Sequence, residues 1–146
     1  RDSARARNTE GLFVLEGARL CFDALESGYN VQELFYTETA LSRYAERVTA
    51  LIENSVAAFE AADEVAQKLA DTVNSQGVFC TVKMKESAEI CPSSPKKYVA
   101  LDGIQNPDNL GAISRTAEAL GVDALIVGGG CDIYNPKALR ASMGAL

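Results

Sequence analysis

The sequence predicts an α/β protein in two parts: a small N-terminal α/β domain, then the first half of a parallel-sheet domain. Three observations carry this. Short apolar runs of strand character alternate with stripes at helical spacing through most of the chain. The stretch 86–97 interrupts the alternation with Ser87, Pro92, Ser93, Ser94, Pro95 and two lysines, a linker composition that places the domains at 1–85 and 98–146. Beyond it a strand, a helix and a second strand follow one another closely, which implies a parallel pair joined by a right-handed crossover.

The 146 residues are 47% hydrophobic and 23% charged, which excludes wholesale disorder. No window holds the roughly 20 apolar residues of a spanning helix, and Arg1–Asn8 has no apolar core behind it, so neither a membrane protein nor a secretory leader is expected. The first residue is not Met, and Leu146 falls inside an apolar pattern, so the expectation is a piece of a longer product. Residues 1–97 carry 11 basic and 15 acidic side chains, and residues 98–146 carry 3 and 5. Neither part is a bulk cation, so any contact with nucleic acid must rest on local clusters. Cys21, Cys80, Cys91 and Cys131 form no C-x-x-C pair and the chain has no histidine, which argues against a metal and for reduced thiols in a cytoplasmic protein.

In the first domain Leu12–Glu16 reads as a strand, and Leu20, Cys21, Ala24 and Leu25 mark a helix that Gly28 stops. Val31–Thr37 is a second strand. Leu41, Tyr44, Ala45, Val48, Leu51 and Ile52 share a stripe and predict one helix. Val56–Phe59 is a strand, Asp63 caps a helix carrying Val65, Ala66 and Leu69, and Val78, Cys80, Val82 and Met84 alternate as the last strand. In the second domain Tyr98–Asp102 is a buried strand, Gly103–Asp108 a loop, and Asn109 the N-cap of a helix over Leu110–Leu120 that Gly121 stops. Ala124–Val127 runs into Gly128–Gly130. That run is read as a turn where backbones approach closely rather than as a phosphate loop, because it lacks the G-x-G-x-x-G order. Asn135–Pro136 opens another helix. Two parallel strands leave sheet faces uncovered, so this domain is expected to be the less stable, with exposed edges at Tyr98–Asp102 and Ala124–Val127.

On a helical wheel with Ile113 at zero, Leu110, Ala117 and Leu120 fall within about 60° and Arg115 lies at about 200°. Arg115 is then either a solvated arginine or a guanidinium over the crevice at the strand ends, where open α/β sheets bind ligands. Asn109 carries the same two readings, cap or ligand-facing group. Lys137 and Arg140, one helical turn apart, are a solvated pair or a clamp for one phosphate. Cys131 has no assured activating cation beside it and is given no nucleophilic role.

The run Leu101-Asp102-Gly103-Ile104-Gln105-Asn106-Pro107-Asp108-Asn109-Leu110-Gly111-Ala112-Ile113-Ser114-Arg115-Thr116-Ala117-Glu118 resembles the first motif of the SpoU (TrmH) family of RNA ribose 2′-O-methyltransferases, in the SPOUT superfamily. Asn135–Leu146 resembles the segment that follows it there, and Gly11–Leu20 with Ser75–Val78 resembles the family's substrate-binding domain, whose fold is like that of small ribosomal RNA-binding proteins. The resemblance implies an RNA-binding N-terminal domain and the first half of a SPOUT α/β-knot domain. It further implies methyl transfer from S-adenosylmethionine to a ribose 2′-hydroxyl of tRNA or rRNA, without a metal, by a homodimer. It maps the family's catalytic arginine onto Arg115 and its asparagine onto Asn109, which would orient Arg115 or the ribose. It places the cofactor-binding knot in chain beyond this motif. No residue here is therefore assigned to the cofactor, and these 146 residues alone are expected to bind it weakly and to be inactive.

Under the same resemblance Arg19, Gln76, Lys137 and Arg140 are candidate RNA contacts. Arg19 reads equally as a solvated helix arginine, and Ser75–Gly77 as a plain turn entering a strand. Arg1, Arg5 and Arg7 are a frayed tail or an arm touching RNA. A non-catalytic RNA-binding module of the same fold is the alternative function. A dinucleotide-dependent oxidoreductase is disfavoured, because the turn Gly103–Asn109 lacks the pyrophosphate-binding glycine spacing.

Overall fold

A computed structural model describes Ser3–Lys85 and Lys97–Leu146. The chain divides into two units, Arg1–Lys85 and Glu86–Leu146. The expected linker at 86–97 lies outside the described residues except for Lys97, and Pro92 and Pro95 with it.

The first unit runs α1 (Ala4–Glu10), β1 (Leu12–Glu16), α2 (Ala18–Glu26), β2 (Val31–Tyr36), α3 (Glu38–Arg43), α4 (Ala45–Asn54), β3 (Ala57–Glu60), α5 (Asp63–Leu69) and β4 (Val78–Lys83). The strands form one mixed sheet in the order β1-β4-β2-β3, antiparallel except for the parallel β2–β3 pair. Alternation sorts the side chains into faces. Leu15, Cys80 and Leu34 sit in register across β1, β4 and β2, and all three are buried. Cys21 of α2 and Val48 and Leu51 of α4 are buried with them, and both helices pack on the sheet. The next register row is Glu16–Phe79–Phe35–Phe59, in which the Phe35 and Phe59 rings stack at 5.2 Å between centroids. Val31 and Leu34 are three residues apart yet both buried, and a register irregularity between Val31 and Glu33 reconciles them with a period of two.

The second unit contains β5 (Tyr98–Asp102), α6 (Pro107–Ala119), β6 (Ala124–Gly128) and α7 (Pro136–Ser142). β5 and β6 pair in parallel, with α6 as the crossover between them, as the sequence predicts. Its core is Leu101, Leu110 and Ala138, with Val99, Ile104, Ile113, Val127, Cys131 and Leu146 packed around it half-buried. α6 lies against α7 at Gly111, where an added Cβ would stand 2.5 Å from the Ala138 carbonyl oxygen and 2.7 Å from the Ser142 nitrogen.

Several sequence expectations need correction. Arg1 lies outside the described residues, and residues 3–7 are not simply a frayed tail: Ser3 caps α1, its hydroxyl accepting from Ala6 N–H at 3.2 Å, and Arg7 is buried. The single helix over Leu41–Ile52 is two helices meeting at Tyr44 (φ −123, ψ 38). The bonds Tyr44 N to Ala40 O (2.9 Å) and Val48 N to Tyr44 O (3.0 Å) continue through the bend, so the apolar spacing persists where the helix does not. Asp63 is the first residue of α5 rather than its cap. Ala62 takes the cap position, and the Asp63 carboxylate accepts instead from the Thr39 hydroxyl at 3.0 Å. Val65 and Leu69 are exposed, leaving Ala66 as the buried residue of α5. In β5 only Leu101 is buried, so the strand is not a buried one. Leu120 is 68% exposed and lies outside the stripe to which the wheel assigned it.

The cap of α6 is the correction that matters most for function. Asn106, not Asn109, is the N-cap: its side-chain oxygen accepts from Asp108 N–H at 2.8 Å, and Pro107 occupies the first turn. Proline disfavours helical geometry in the residue before it and brings its own φ preset for a helix, so Asn106–Pro107 fixes the start three residues earlier.

Candidate functional site

In the second unit, the loops after β5 and β6 meet at the carboxyl ends of the strands. Gly103 N–H donates to Gly128 O at 2.8 Å, and Cys131 N–H to Ile104 O at 2.7 Å. Gly130, at φ 81, lies so close to the Ile104 backbone that no side chain fits there. The glycine run is thus a site of backbone-on-backbone approach, the reading the sequence favoured.

Arg115 projects from α6 on the side away from Leu110 and Ala117, one turn after Gly111, and it is exposed. Its Nη1 lies 3.1 Å from the thioether sulfur of Met143, the residue that ends α7. Among the described residues it has no carboxylate partner, although Glu118 stands one turn further along the helix. Asn109 is exposed in the first turn of α6. It lies six helical positions before Arg115, about 9 Å along the axis and about 120° round it, so the two do not form a pair. Lys137 is exposed and Arg140 half-buried on α7, whose cap is the Asn135 side chain accepting from Lys137 N–H at 2.9 Å. Burial, with the Asp132 charge second, raises the Cys131 thiol above its ordinary range, which disfavours the thiolate.

The first unit uses its candidate residues differently. Gln76 Oε1 accepts from Ala18 N–H at 2.8 Å and so closes the amino end of α2, to which Gly17 contributes no side chain. Gly77 sits over Thr37, where a Cβ would meet Oγ1 at 2.6 Å, and Thr37 N–H donates to Gly77 O at 3.0 Å. The Glu16 carboxylate accepts from Asp71 N–H at 3.1 Å and from the Thr72 hydroxyl. The segment before β4 is therefore pinned by polar side chains at both ends. Arg19 is exposed on α2 and makes an ion pair with Asp23 at 3.4 Å.

Three residues that sequence reasoning passed over shape these sites: Asn106, Glu16 and Met143. The first had a visible signal, since Asn–Pro also opens α7. The other two act through contacts distant in sequence. Among the described residues no group of three or more His, Cys, Asp or Glu side chains is placed to hold a metal ion. No helix among them is long and apolar enough to cross a membrane.

Residues 2–80 match the MRM3-like substrate-binding domain, and residues 96–146 match the SpoU rRNA methylase family. The chain is 32% identical over 142 residues to an uncharacterized tRNA/rRNA methyltransferase of Synechocystis sp., covering 97% of this chain and 52% of that protein. It is 27% identical to the 23S rRNA (guanosine(2553)-2′-O)-methyltransferase RlmP of Bacillus subtilis, covering 97% and 54%. The crystal structure of AdoMet-bound rRNA methyltransferase from Sinorhizobium meliloti superposes with a TM-score of 0.80 at 29% identity, covering 98% of this chain and 54% of that one. The chain thus spans about half the length of these relatives. With both units matched in order, and the fold shared, the chain belongs to the SpoU family of rRNA methylases, with an MRM3-like substrate-binding domain ahead of the methylase segment.

Proposed function

We propose that the whole protein methylates a ribose 2′-hydroxyl of tRNA or rRNA, with Arg115 as its catalytic cation. The observation that carries this is the uncommitted charge of Arg115: it faces solvent from a crossover helix, and its side-chain partner is a neutral sulfur. A ribose hydroxyl is a weak nucleophile and must lose its proton as it attacks. A guanidinium beside it stabilises the developing negative charge and can hold a neighbouring phosphate with two parallel hydrogen bonds. An arginine already paired with a carboxylate would do neither well.

Asn109 serves in this reading as a separate polar contact to the ribose or phosphate, since the helix geometry parts it from Arg115. Arg19 and Gln76 on the first unit, and Lys137 and Arg140 on α7, are the proposed RNA contacts. Arg19 would exchange its Asp23 partner for phosphate, and Gln76 would use the amide N–H groups left after its oxygen caps α2. The homodimer and the cytoplasmic setting expected from the family belong to the same proposal.

S-adenosylmethionine is the donor in this reading, because the Sinorhizobium relative holds it. A ligand of that size needs most of its surface enclosed. The described second unit supplies two paired strands and two helices, and none of their residues is assigned to it.

The test is methyl incorporation into RNA by the full-length protein, with 2′-O products identified by resistance of the linkage to alkali. Arg115→Ala should lower turnover about 10²- to 10³-fold while leaving the unfolding midpoint close to wild type. Arg115→Lys should rescue poorly, because an ammonium cannot reproduce the planar fork. Near-wild-type turnover in Arg115→Ala rejects the assignment. A wild-type protein that binds RNA and never methylates it would instead show a binding module.

A further inference from the structure

We propose that Met143 is a positioning residue for Arg115: its thioether holds the guanidinium in place beside the end of α7 without neutralising it. This rests on the reading of Arg115 as the catalytic cation.

Two unusual features of Met143 converge on one contact. It is the only non-glycine residue with positive φ among the described residues, at φ 55 and ψ 35, a left-handed conformation that L side chains rarely adopt. It is also a large apolar side chain left 51% exposed. Gly144 follows immediately, and a glycine is the residue that ordinarily takes the left-handed position after a helix. Here the methionine takes it, and the result is that the sulfur reaches Arg115 Nη1 at 3.1 Å.

The contact is fixed at both ends. Gly111 lets α6 and α7 approach until an added Cβ would strike the Ala138 carbonyl oxygen and the Ala141 Cβ, each at 2.5 Å. Arg115 stands one turn after Gly111, and Met143 one residue after Ser142, so the pair belongs to a single locked helix junction.

The chemistry of sulfur suits the task. A thioether is a neutral, weak acceptor, whereas a carboxylate would form a charge-assisted pair that competes with any incoming anion. A thioether restricts the long arginine side chain and yields when a phosphate or an oxyanion arrives. The entropy of ordering Arg115 is then met in the free protein rather than at the moment of reaction.

The experiment uses the full-length protein and two readouts. Met143→Leu keeps the volume and the left-handed backbone but removes the acceptor. Met143→Gln restores an acceptor of similar reach. Met143→Leu should lower kcat about fivefold, the size expected for one modest hydrogen bond, with KM for RNA and the unfolding midpoint unchanged. Met143→Gln should recover most of the loss, and in an Arg115→Ala background Met143→Leu should have no further effect. The second readout is ¹⁵N relaxation of the Arg115 Nε–H group, which should become more mobile in Met143→Leu whatever the rate does. Unchanged Arg115 mobility overturns the positioning role, as does an equal loss in the Arg115→Ala background. Increased mobility combined with full activity of Arg115→Ala supports the positioning contact and rejects the catalytic reading of Arg115 instead.

Discussion

The two units differ in how they use the polar side chains proposed to meet RNA. In the first, a four-stranded sheet buries Phe13, Leu15, Leu34, Val78, Cys80 and Val82 beneath α2 and α4. Its conspicuous polar groups are committed to that framework, with Glu16 holding Asp71 and Thr72, and Gln76 closing α2. The second unit has two strands and a core of Leu101, Leu110 and Ala138. Among the described residues the side chains of Asn109 and Lys137 are in no hydrogen bond or ion pair, and Arg115 meets only a thioether. A buried polar group must be satisfied internally, whereas an exposed one on a thin scaffold stays available to a ligand. In the proposed function the second unit carries the chemistry and the first presents the RNA.

The sharpest way to break this comparison is native-state hydrogen exchange on the 146-residue polypeptide. Local stability follows buried apolar contact. Amides of β2 and β4 should exchange at least about 100-fold more slowly than those of β5 and β6, an opening free-energy difference of about 2.7 kcal/mol. The same polypeptide should give no measurable heat with S-adenosylmethionine in calorimetry. Uniform protection across both units, or tight binding of the donor, would remove the distinction between framework and chemistry.

A second test acts within the weaker unit. In Gly111→Ala the new methyl group meets backbone atoms of α7, the Ala138 oxygen at 2.5 Å and the Ser142 nitrogen at 2.7 Å, and neither is the free end of a side chain. Overpacking of this kind costs about 1–3 kcal/mol. The loss should appear as faster exchange in α6 and α7, with β1–β4 unaffected. If both units respond together, they do not unfold independently.

Short apolar runs, with alternation in β4, made the strands of the first unit legible, and the close succession of strand, helix and strand did the same for the parallel pair of the second, because such local patterns need no knowledge of the partner strand. The position of Arg115 off the apolar stripe was legible for the same reason. The start of α6 carries two competing local signals: Asn106–Pro107 is the dipeptide that also opens α7 as Asn135–Pro136, whereas the apolar stripe beginning at Leu110 points to Asn109. Gln76 and Ala18 are 58 residues apart, so no local pattern announces that one caps the other's helix. Met143 was hidden because its left-handed backbone is set by the docking of α7 on α6, and the neighbouring Gly144 is the better local candidate. What the sequence concealed is what depends on contacts across the fold.

A third test uses the thiols of the first unit. Burial above all, and then the neighbouring Cys80, pushes the Cys21 thiol well above its ordinary value of 9.0. The folded state therefore holds this proton after the unfolded chain has released it. The contribution is complete below about pH 9 and declines as pH rises toward the folded-state value, by about 1.4 kcal/mol per pH unit while only the unfolded state is ionised. Cys21→Ala should flatten this slope in a urea-unfolding series from pH 8 to 10.5. An unchanged slope in Cys21→Ala would assign the alkaline loss to other groups.

The smallest effect, and the one that bears most directly on commitment against availability, comes from two truncations read side by side. Gln76→Ala removes the acceptor of Ala18 N–H and leaves a helix end uncapped, which costs about 0.5–2 kcal/mol. Lys137→Ala removes an exposed charge on α7 whose side chain has no partner among the described residues, so the stability of the second unit should stay within about 0.5 kcal/mol of wild type. RNA binding by the full-length protein should reverse the order of interest. Losing one phosphate contact at Lys137 weakens binding uniformly across sequences and reduces the slope of log K against log salt by about 0.7–0.9. Gln76→Ala carries no charge change, so its salt slope should equal that of the wild type even where its affinity falls. A Lys137→Ala protein with the wild-type slope would show that its charge is only solvated. A Gln76→Ala protein with undiminished stability would show that its bond to α2 contributes nothing to holding the framework.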